Sequence, residues 1–258
     1  MKSTDEFCEA LTREGELFLG TALRAGLAAE VPTCPGWRVR DLVRHLGHVH
    51  RWATGFVADG LQRFVPPGEE AVPDGELADW YASGHRALLA ALAKAPEDLE
   101  CWTFLPGPAT GRRFWARRQA HETAIHRMDA QAAAGEAISP VDAEFAEDGI
   151  DELVTGFHGR PRSRVRRERP GVLRIRASDR AEADWTVAVS AAPPRVGRTA
   201  PEAGGAPAAG GRVAADCEIS GPAAVLYPAL WNRPHDRAAL TVRGERELAD
   251  LWASAAAV

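Results

Sequence analysis

The spacing of apolar residues changes once along this 258-residue chain, after Gly135, and the change restricts the folds open to it. Before Gly135 the apolar residues recur every three or four positions, which is the period of an amphipathic helix. After it, the segments VLRIRAS (172–178) and DWTVAVS (184–190) alternate apolar and polar residues, as half-buried strands do. The chain is therefore predicted to be an α+β protein with a helical first part and a mixed second part.

The first part contains amphipathic segments separated by polar or Pro/Gly-rich connections. These segments lie at residues 5–28, 38–58, 76–94 and 113–134. Four such helices with breaks between them indicate a four-helix bundle. We assign residues 1–138 to this first domain.

The second part, residues 139–258, is predicted to be a smaller α+β domain. Residues 141–157 predict a helix that joins the two parts. Further strands are predicted at 212–220 and 239–244, and further helices at 221–231 and 245–255. The Pro/Gly/Ala-rich segment 193–212 is predicted to form a mobile loop.

The composition excludes several classes of protein. The net charge is −5, so no overall positive field would draw the chain to nucleic acid. No run of about 18 apolar residues occurs, so no membrane-spanning helix is expected, and the acidic start MKSTDEFCEA does not resemble a secretory signal. The scattered cysteines form no CxxC pair, which favours a reducing cytoplasm. We expect a monomer or dimer with no nucleic-acid or membrane partner.

The segment RRQAHETAIHRMDA (117–130) carries the most specific pattern. Glu122 and His126 share one helix face, where a carboxylate and an imidazole can bind one divalent ion. On the second helix His45 interrupts an apolar stripe, so we expect it to point toward the bundle core and supply a third ligand. Two histidines and one carboxylate leave positions open, as at a catalytic ion. Zinc suits this set, although nickel, cobalt or iron could also bind it.

These residues also have purely structural interpretations. An E-x-x-x-H pair taken alone is more often a solvated surface pair, and a lone inward histidine is more often a hydrogen-bonded core residue. Asp129, one turn beyond His126, would either orient that ring or form an ion pair with an arginine. Among the other histidines, His48 is interpreted as surface, His50 is ambiguous beside the core, and His121 would pack or support a ligand.

Two motifs in this order resemble a known family. CPGWRVRDLVRHLGH (34–48), followed by HETAIHRMDA (121–130), resembles the metal-binding N-terminal domain of mycothiol-dependent maleylpyruvate isomerases. These enzymes belong to the wider DinB-like family of actinobacterial thiol-dependent enzymes. The second part, with GIDELVTGF (149–157) and ISGPAAVLYPALWNR (219–233), is similar to that family's C-terminal domain, which has a sterol-carrier-like fold. In this setting Cys34 is expected to be a packed thiol in the turn before the second helix.

The resemblance implies a set of site residues that agrees with the helical spacing. The family's basic residue from the C-terminal domain corresponds to Arg233 in LWNRP, which would contact the co-substrate and take part in catalysis. The family more often has a glycine before that arginine, where this chain has Asn232, and the 193–212 segment is expanded. The implied metal ligands are His45, Glu122 and His126.

The resemblance also implies the chemistry. A low-molecular-weight thiol, mycothiol, would bind at the open position of a divalent ion, zinc, and act as thiolate. Adding to a double bond, rotating and eliminating would isomerise a cis enoyl acid, whereas stopping after the attack would make the protein an S-transferase of a small electrophile. Arg233 would pair with a substrate carboxylate.

Two other functions stay open from the sequence. The chain could be a metal-containing protein that carries or senses a small ligand without catalysing a reaction. It could also be a hydrolase that uses metal-activated water, for which His50 and Asp129 are the weak candidates for a general base. Thiol dependence of turnover would distinguish transferase from hydrolase, and ligand co-purification without turnover would favour the carrier.

Overall fold

The computed structural model describes residues 2–105, 109–199 and 215–256. The backbone divides into two compact units, Lys2–Ser139 and Pro140–Val258. A helical unit comes first and a small mixed sheet with helices follows, which confirms the predicted α+β class. None of the helices in the described ranges has both the length and the apolar character needed to cross a membrane.

The described residues of the first unit contain the four α-helices that the apolar spacing predicts. Polar residues set where they begin: Ser3 and Glu6 form a capping box at the first helix, and the Thr110 side chain caps the fourth. At the start of the second helix the Asp41 carboxylate accepts a hydrogen bond from the backbone N–H of Arg38. The same helix ends at Gly60, which has a left-handed backbone conformation. The helices are α1 (Thr4–Ala25), α2 (Val39–Asp59), α3 (Leu77–Lys94) and α4 (Gly111–Ala133).

Helix α1 packs along α4, and α2 packs along α3. Glu14 on α1 and Arg127 on α4 form an ion pair at 2.8 Å, with side chains only 2% and 1% exposed. Gly47 on α2 faces the ring of Trp80 on α3 so closely that a Cβ there would overlap a ring carbon. Helix α2 also contacts α4, and these two helices carry the three predicted metal ligands.

A mixed sheet forms the centre of the second unit, with five strands among its described residues in the order β3-β2-β1-β4-β5. Strand β1 pairs antiparallel with β2 and parallel with β4, while β3 and β5 are antiparallel to their neighbours. Leu173, Ile175 and Val187 are buried, as the period-two pattern predicts. The strands are β1 (Gly171–Ala177), β2 (Asp184–Val189), β3 (Arg195–Arg198), β4 (Cys217–Gly221) and β5 (Thr241–Gly244).

Helices cover this sheet and precede it. Helix α6 packs on α5, and α7 packs against β1 and β4. Residues 141–157, predicted as one helix, form α5 and then a π-helical turn, Glu152–Phe157, in which the His158 N–H reaches back to the Leu153 carbonyl. The helices are α5 (Ala143–Asp151), α6 (Ala223–Leu230) and α7 (Arg246–Ala255).

The prediction of a mobile loop over 193–212 is wrong for its first part. Strand β3 begins at Arg195, and Val196 pairs with Val187 of β2. An edge strand gains backbone hydrogen bonds from one neighbour only and keeps both faces partly exposed, so no apolar alternation marks it in the sequence. Residues 200–212 of the predicted loop lie outside the described residues.

Candidate metal centre

Three predicted ligands meet between α2 and α4. One ligand atom each from His45, Glu122 and His126 lies within 4.8 Å of the other two. Oε1 of Glu122 is 3.2 Å from Nε2 of His45 and 3.2 Å from Nε2 of His126. The two imidazole rings are 4.9 Å apart and almost perpendicular, at 80°. Among the residues that the structure describes, this is the only such group of histidine, cysteine or acidic side chains.

The donor set fits a divalent ion. Two imidazole nitrogens and one carboxylate oxygen are ligands that zinc takes at catalytic sites. Neighbouring ligand atoms on a tetrahedral zinc ion lie roughly 3.4 Å apart when the bonds are about 2.1 Å. Both contacts of Glu122 Oε1, at 3.2 Å, are close to that separation.

The group lies at the edge of the bundle and not in its core. On α4, Glu122 and His126 are one helical turn apart and face the same side. The His45 side chain reaches them from α2 but stays 36% exposed, which differs from the inward position expected from its apolar stripe. Glu122 is 22% exposed and His126 11% exposed, so the group is only partly covered.

Asp129 takes the first of its two expected roles, because its carboxylate binds the ring of His126. Oδ2 of Asp129 is 2.9 Å from Nδ1 of His126, and Asp129 is fully buried. Thr33 donates to Oδ1 at 2.6 Å, and the Cys34 thiol donates to Oδ2 at 3.6 Å. With Nδ1–H donated to Asp129, Nε2 of His126 is the nitrogen that faces Glu122.

The turn before α2 makes these contacts possible. The Val31 N–H binds the Trp37 carbonyl at 2.9 Å, and Gly36 has a φ of 85°, which only glycine adopts without strain. The turn brings Thr33 and Cys34 to Asp129, while the Trp37 ring lies 5.1 Å from the ring of His45. Cys34 is half-buried, so it is a packed thiol that also holds a ligand support in place.

Arg118 is a site residue that the sequence reasoning missed. Its Nη2 donates to Oε2 of Glu122 at 2.6 Å, and its side chain is only 2% exposed. The spacing of four residues between Arg118 and Glu122 on one helix was the available signal. Thr33 was also missed, because its contact to Asp129 joins segments 96 residues apart in the chain.

The charges at the site shift two pKa values. Burial raises the pKa of Glu122, but the Arg118 charge and the bonds from both histidines outweigh it and hold that pKa well below its usual range. Burial lowers the pKa of His126, but its bonds to Asp129 and Glu122 dominate and raise it to about 9. Glu122 is therefore a carboxylate at neutral pH, and His126 carries a proton on Nε2 that a metal ion would displace.

The remaining histidines lie outside the group. His50 is fully buried, with Nε2 3.0 Å from the hydroxyl of Thr123, and burial holds its pKa well below the usual range. His48 is half-buried with its ring 4.9 Å from that of Trp80. His121 is fully buried, which fits the packing role expected of it.

Arg233 belongs to the second unit, where its Nη1 donates to the Trp231 carbonyl at 2.7 Å. The preceding residue, Asn232, has a φ of 59°, the only non-glycine residue with positive φ among the described residues. Asparagine tolerates this left-handed conformation better than most residues. Asn232 therefore holds a left-handed backbone conformation in which a glycine would also be unstrained.

Comparisons with known proteins agree with this architecture. Residues 8–131 match the family described as the mycothiol maleylpyruvate isomerase N-terminal domain, and residues 144–251 match the corresponding MDMPI C-terminal domain. No curated protein matches the sequence. The crystal structure of mycothiol-dependent maleylpyruvate isomerase has a TM-score of 0.61 and 14% identity, covering 95% of this chain and 95% of its own. A histidine-to-alanine mutant of that isomerase gives the same TM-score, 0.61, identity, 14%, and coverage of both chains, 95%. The two family matches together span most of the sequence, and the chain belongs to the enzyme family of mycothiol-dependent maleylpyruvate isomerases.

Proposed function

We propose that this chain is a metal-dependent enzyme that uses mycothiol either to isomerise a small electrophilic substrate or to form a thioether with it, as an S-transferase does. Family membership supports a thiol-dependent isomerase. The convergence of His45 Nε2, Glu122 Oε1 and His126 Nε2 is the observation that carries the metal dependence. Zinc is the ion that this nitrogen and oxygen donor set suits best.

The metal ligands would hold the ion at the rim of the bundle, with a position open to a small molecule. A divalent ion there would lower the pKa of a thiol bound to it, so that thiolate is available at neutral pH. Asp129 orients His126 through Nδ1, so that Nε2 faces the other ligands. Glu122 contributes a negative charge that remains at neutral pH.

In the isomerase reaction, the thiolate sulfur adds to the β-carbon of an activated cis double bond, and the π electrons move to the substrate carbonyl oxygen. The former carbon–carbon double bond is now a single bond and can rotate. Expulsion of the same thiolate then restores the double bond in the trans form, with no net consumption of thiol. An S-transferase would instead retain the new C–S bond and release a leaving group or take up a proton. Arg233 pairs with a substrate carboxylate in either case.

The sequence is the basis for our proposals on domain boundaries, binding partners, location and oligomeric state. We keep residues 1–138 and 139–258 as two functional domains, and we propose that the protein acts on small molecules in a reducing cytoplasm as a monomer or dimer. No disulfide joins Cys8, Cys34, Cys101 or Cys217, which is consistent with that location. The net charge of −5 argues against a nucleic-acid partner.

The hydrolase alternative is less well supported, because neither candidate base is available to activate water. His50 is fully buried and bonded to Thr123. Asp129 is fully buried and bonded to His126 and Thr33. The carrier alternative predicts a co-purifying ligand and no thiol-dependent turnover.

Metal analysis by plasma mass spectrometry tests the proposal on wild type, His126→Ala and the control His48→Ala. We expect about one equivalent of divalent metal, as for one three-ligand site, in wild type and in His48→Ala, and loss of metal in His126→Ala. Thiol-dependent turnover of cis-unsaturated acids would then support the enzyme. A wild type that takes up no added zinc would contradict the proposal, and metal uptake without thiol-dependent turnover would favour the metal-containing carrier.

A further inference from the structure

We propose that Arg118 is a positioning residue that restricts Glu122 to one ligand oxygen and so keeps a metal position open for the thiol. This inference rests on the proposed function, in which the group of His45, Glu122 and His126 holds a divalent ion.

The two carboxylate oxygens of Glu122 have separate partners. Oε1 faces both histidines, at 3.2 Å from each Nε2. Oε2 accepts a hydrogen bond from Nη2 of Arg118 at 2.6 Å. The carboxylate is therefore turned so that one oxygen points to the metal site and the other points to the guanidinium.

Burial makes this orientation costly to change. The Arg118 side chain is 2% exposed, so few water molecules can replace Glu122 as its acceptor. Charge-assisted hydrogen bonds are stronger than neutral ones, and a buried charge that loses a partner is strongly unfavourable. Both residues are on α4, four positions apart, so the helix itself keeps the guanidinium beside Oε2.

The orientation decides how many positions the protein fills. With a divalent ion bound, His45, His126 and a single oxygen of Glu122 would supply three ligand atoms, which would leave room for an exogenous ligand. A carboxylate that bound through both oxygens would compete with the thiol for that space. Arg118 therefore acts on access of the thiol to the ion more than on affinity for the ion.

Cobalt(II) provides a readout independent of turnover, because a four-coordinate cobalt ion absorbs visible light more strongly than a five-coordinate one. Wild type, Arg118→Met and the control Arg51→Met would be loaded with cobalt and titrated with mycothiol. Arg51 is a matched control because its guanidinium packs over Trp80, at 3.9 Å from the ring centroid. Chelator competition would give the cobalt affinity of each protein.

We expect Arg118→Met to bind cobalt at least as tightly as wild type and its cobalt form to absorb visible light more weakly. Half-saturation should need at least about tenfold more thiol, which is a loss of about 1.4 kcal/mol in the free energy of thiol binding. Arg118→Lys, which keeps a buried cation, should recover much of the wild-type spectrum, and Arg51→Met should match it. If Arg118→Met does not fold, Arg118→Gln carries the same test.

A wild-type spectrum and thiol titration in the folded Arg118 variant would overturn the inference, as would parallel loss of cobalt and thiol binding, which indicates general structural damage. Failure of the proposed function looks different. In that case wild type itself would bind no cobalt, or would bind it without any spectral response to thiol.

Discussion

Nδ1 of His126 lies 2.9 Å from Oδ2 of Asp129, three residues further along α4, and this contact determines which ring nitrogen of His126 faces Glu122. The carboxylate is fully buried and is held in turn by Thr33 at 2.6 Å. A buried, fixed acceptor on one ring nitrogen leaves the other nitrogen for a metal ion and increases its basicity.

Replacing Asp129 by asparagine should weaken zinc binding by about 10- to 100-fold, the usual effect of losing a carboxylate that supports a ligating histidine. The amide has nearly the same shape but no charge, so the fold should persist. Competition with a chromophoric chelator measures the affinity, and circular dichroism checks the fold. Thr33→Val, which removes only the outer hydrogen bond, serves as the control and should change affinity much less. Equal zinc affinity in Asp129→Asn and wild type would refute the supporting role.

The buried pair of Glu14 and Arg127 should be essential for the stability of the first unit. Arg127→Met leaves the carboxylate of Glu14, only 2% exposed, without its buried cation, at an expected cost of about 3–5 kcal/mol. Arg13 contacts the same carboxylate at 3.3 Å but its own side chain is 52% exposed, so Arg13→Met should cost at most about 1 kcal/mol. Urea unfolding of the two variants measures the difference, and similar losses in both would contradict this account.

Gly47 should tolerate no side chain, because α2 and α3 approach each other there. A Cβ at Gly47 would overlap the Trp80 ring, so Gly47→Ala should destabilise the protein by about 1–3 kcal/mol. Gly55 is on the same helix, and its Cβ would be 3.8 Å from Leu61, an ordinary contact. Gly55→Ala should therefore be neutral or stabilising by up to about 1 kcal/mol. Thermal melts of both variants provide the comparison, and a melting temperature for Gly47→Ala at or above wild type would disprove close packing at this point.

The second unit should lose stability in mild acid through His158. Burial beside Trp252, together with the charge of Arg160, lowers the pKa of His158 to about 4 from an ordinary 6.5, against the opposing effect of the Ala256 backbone. Because the folded pKa is the lower one, the unfolded chain takes up the proton first. The contribution of neutral His158 to the free energy of unfolding is complete above pH 6.5 and is lost as the pH falls toward 4.

Between pH 7 and pH 4.5 this loss should amount to roughly 2–3 kcal/mol in the free energy of unfolding. Urea titrations at the two pH values measure it in wild type. His158→Gln cannot take up the proton, so its unfolding free energy should change less over the same interval. An identical pH dependence in both proteins would show that His158 is not responsible.

Local periodicity determined much of this protein before any tertiary contact was known. Burial of one face of an element imposes an apolar spacing of 3.6 residues on a helix and of two residues on a strand. This spacing predicts the four bundle helices, helices α6 and α7, and strands β1 and β2. The pairing of Glu122 with His126 has the same origin, since positions four apart on a helix always share a face.

Tertiary structure alone decided the rest. Whether His45 would meet the α4 pair, whether Asp129 would bind the ring of His126, and whether Thr33 would bind Asp129 depended on how α2, α4 and the turn before α2 pack together. Strand β3 exists because β2 offers it a hydrogen-bonding edge, and that edge leaves no pattern in the sequence of β3. Periodicity records which face of an element is buried, whereas the partner of a polar side chain is set by geometry across distant segments, and a single chain carries no local signal of it.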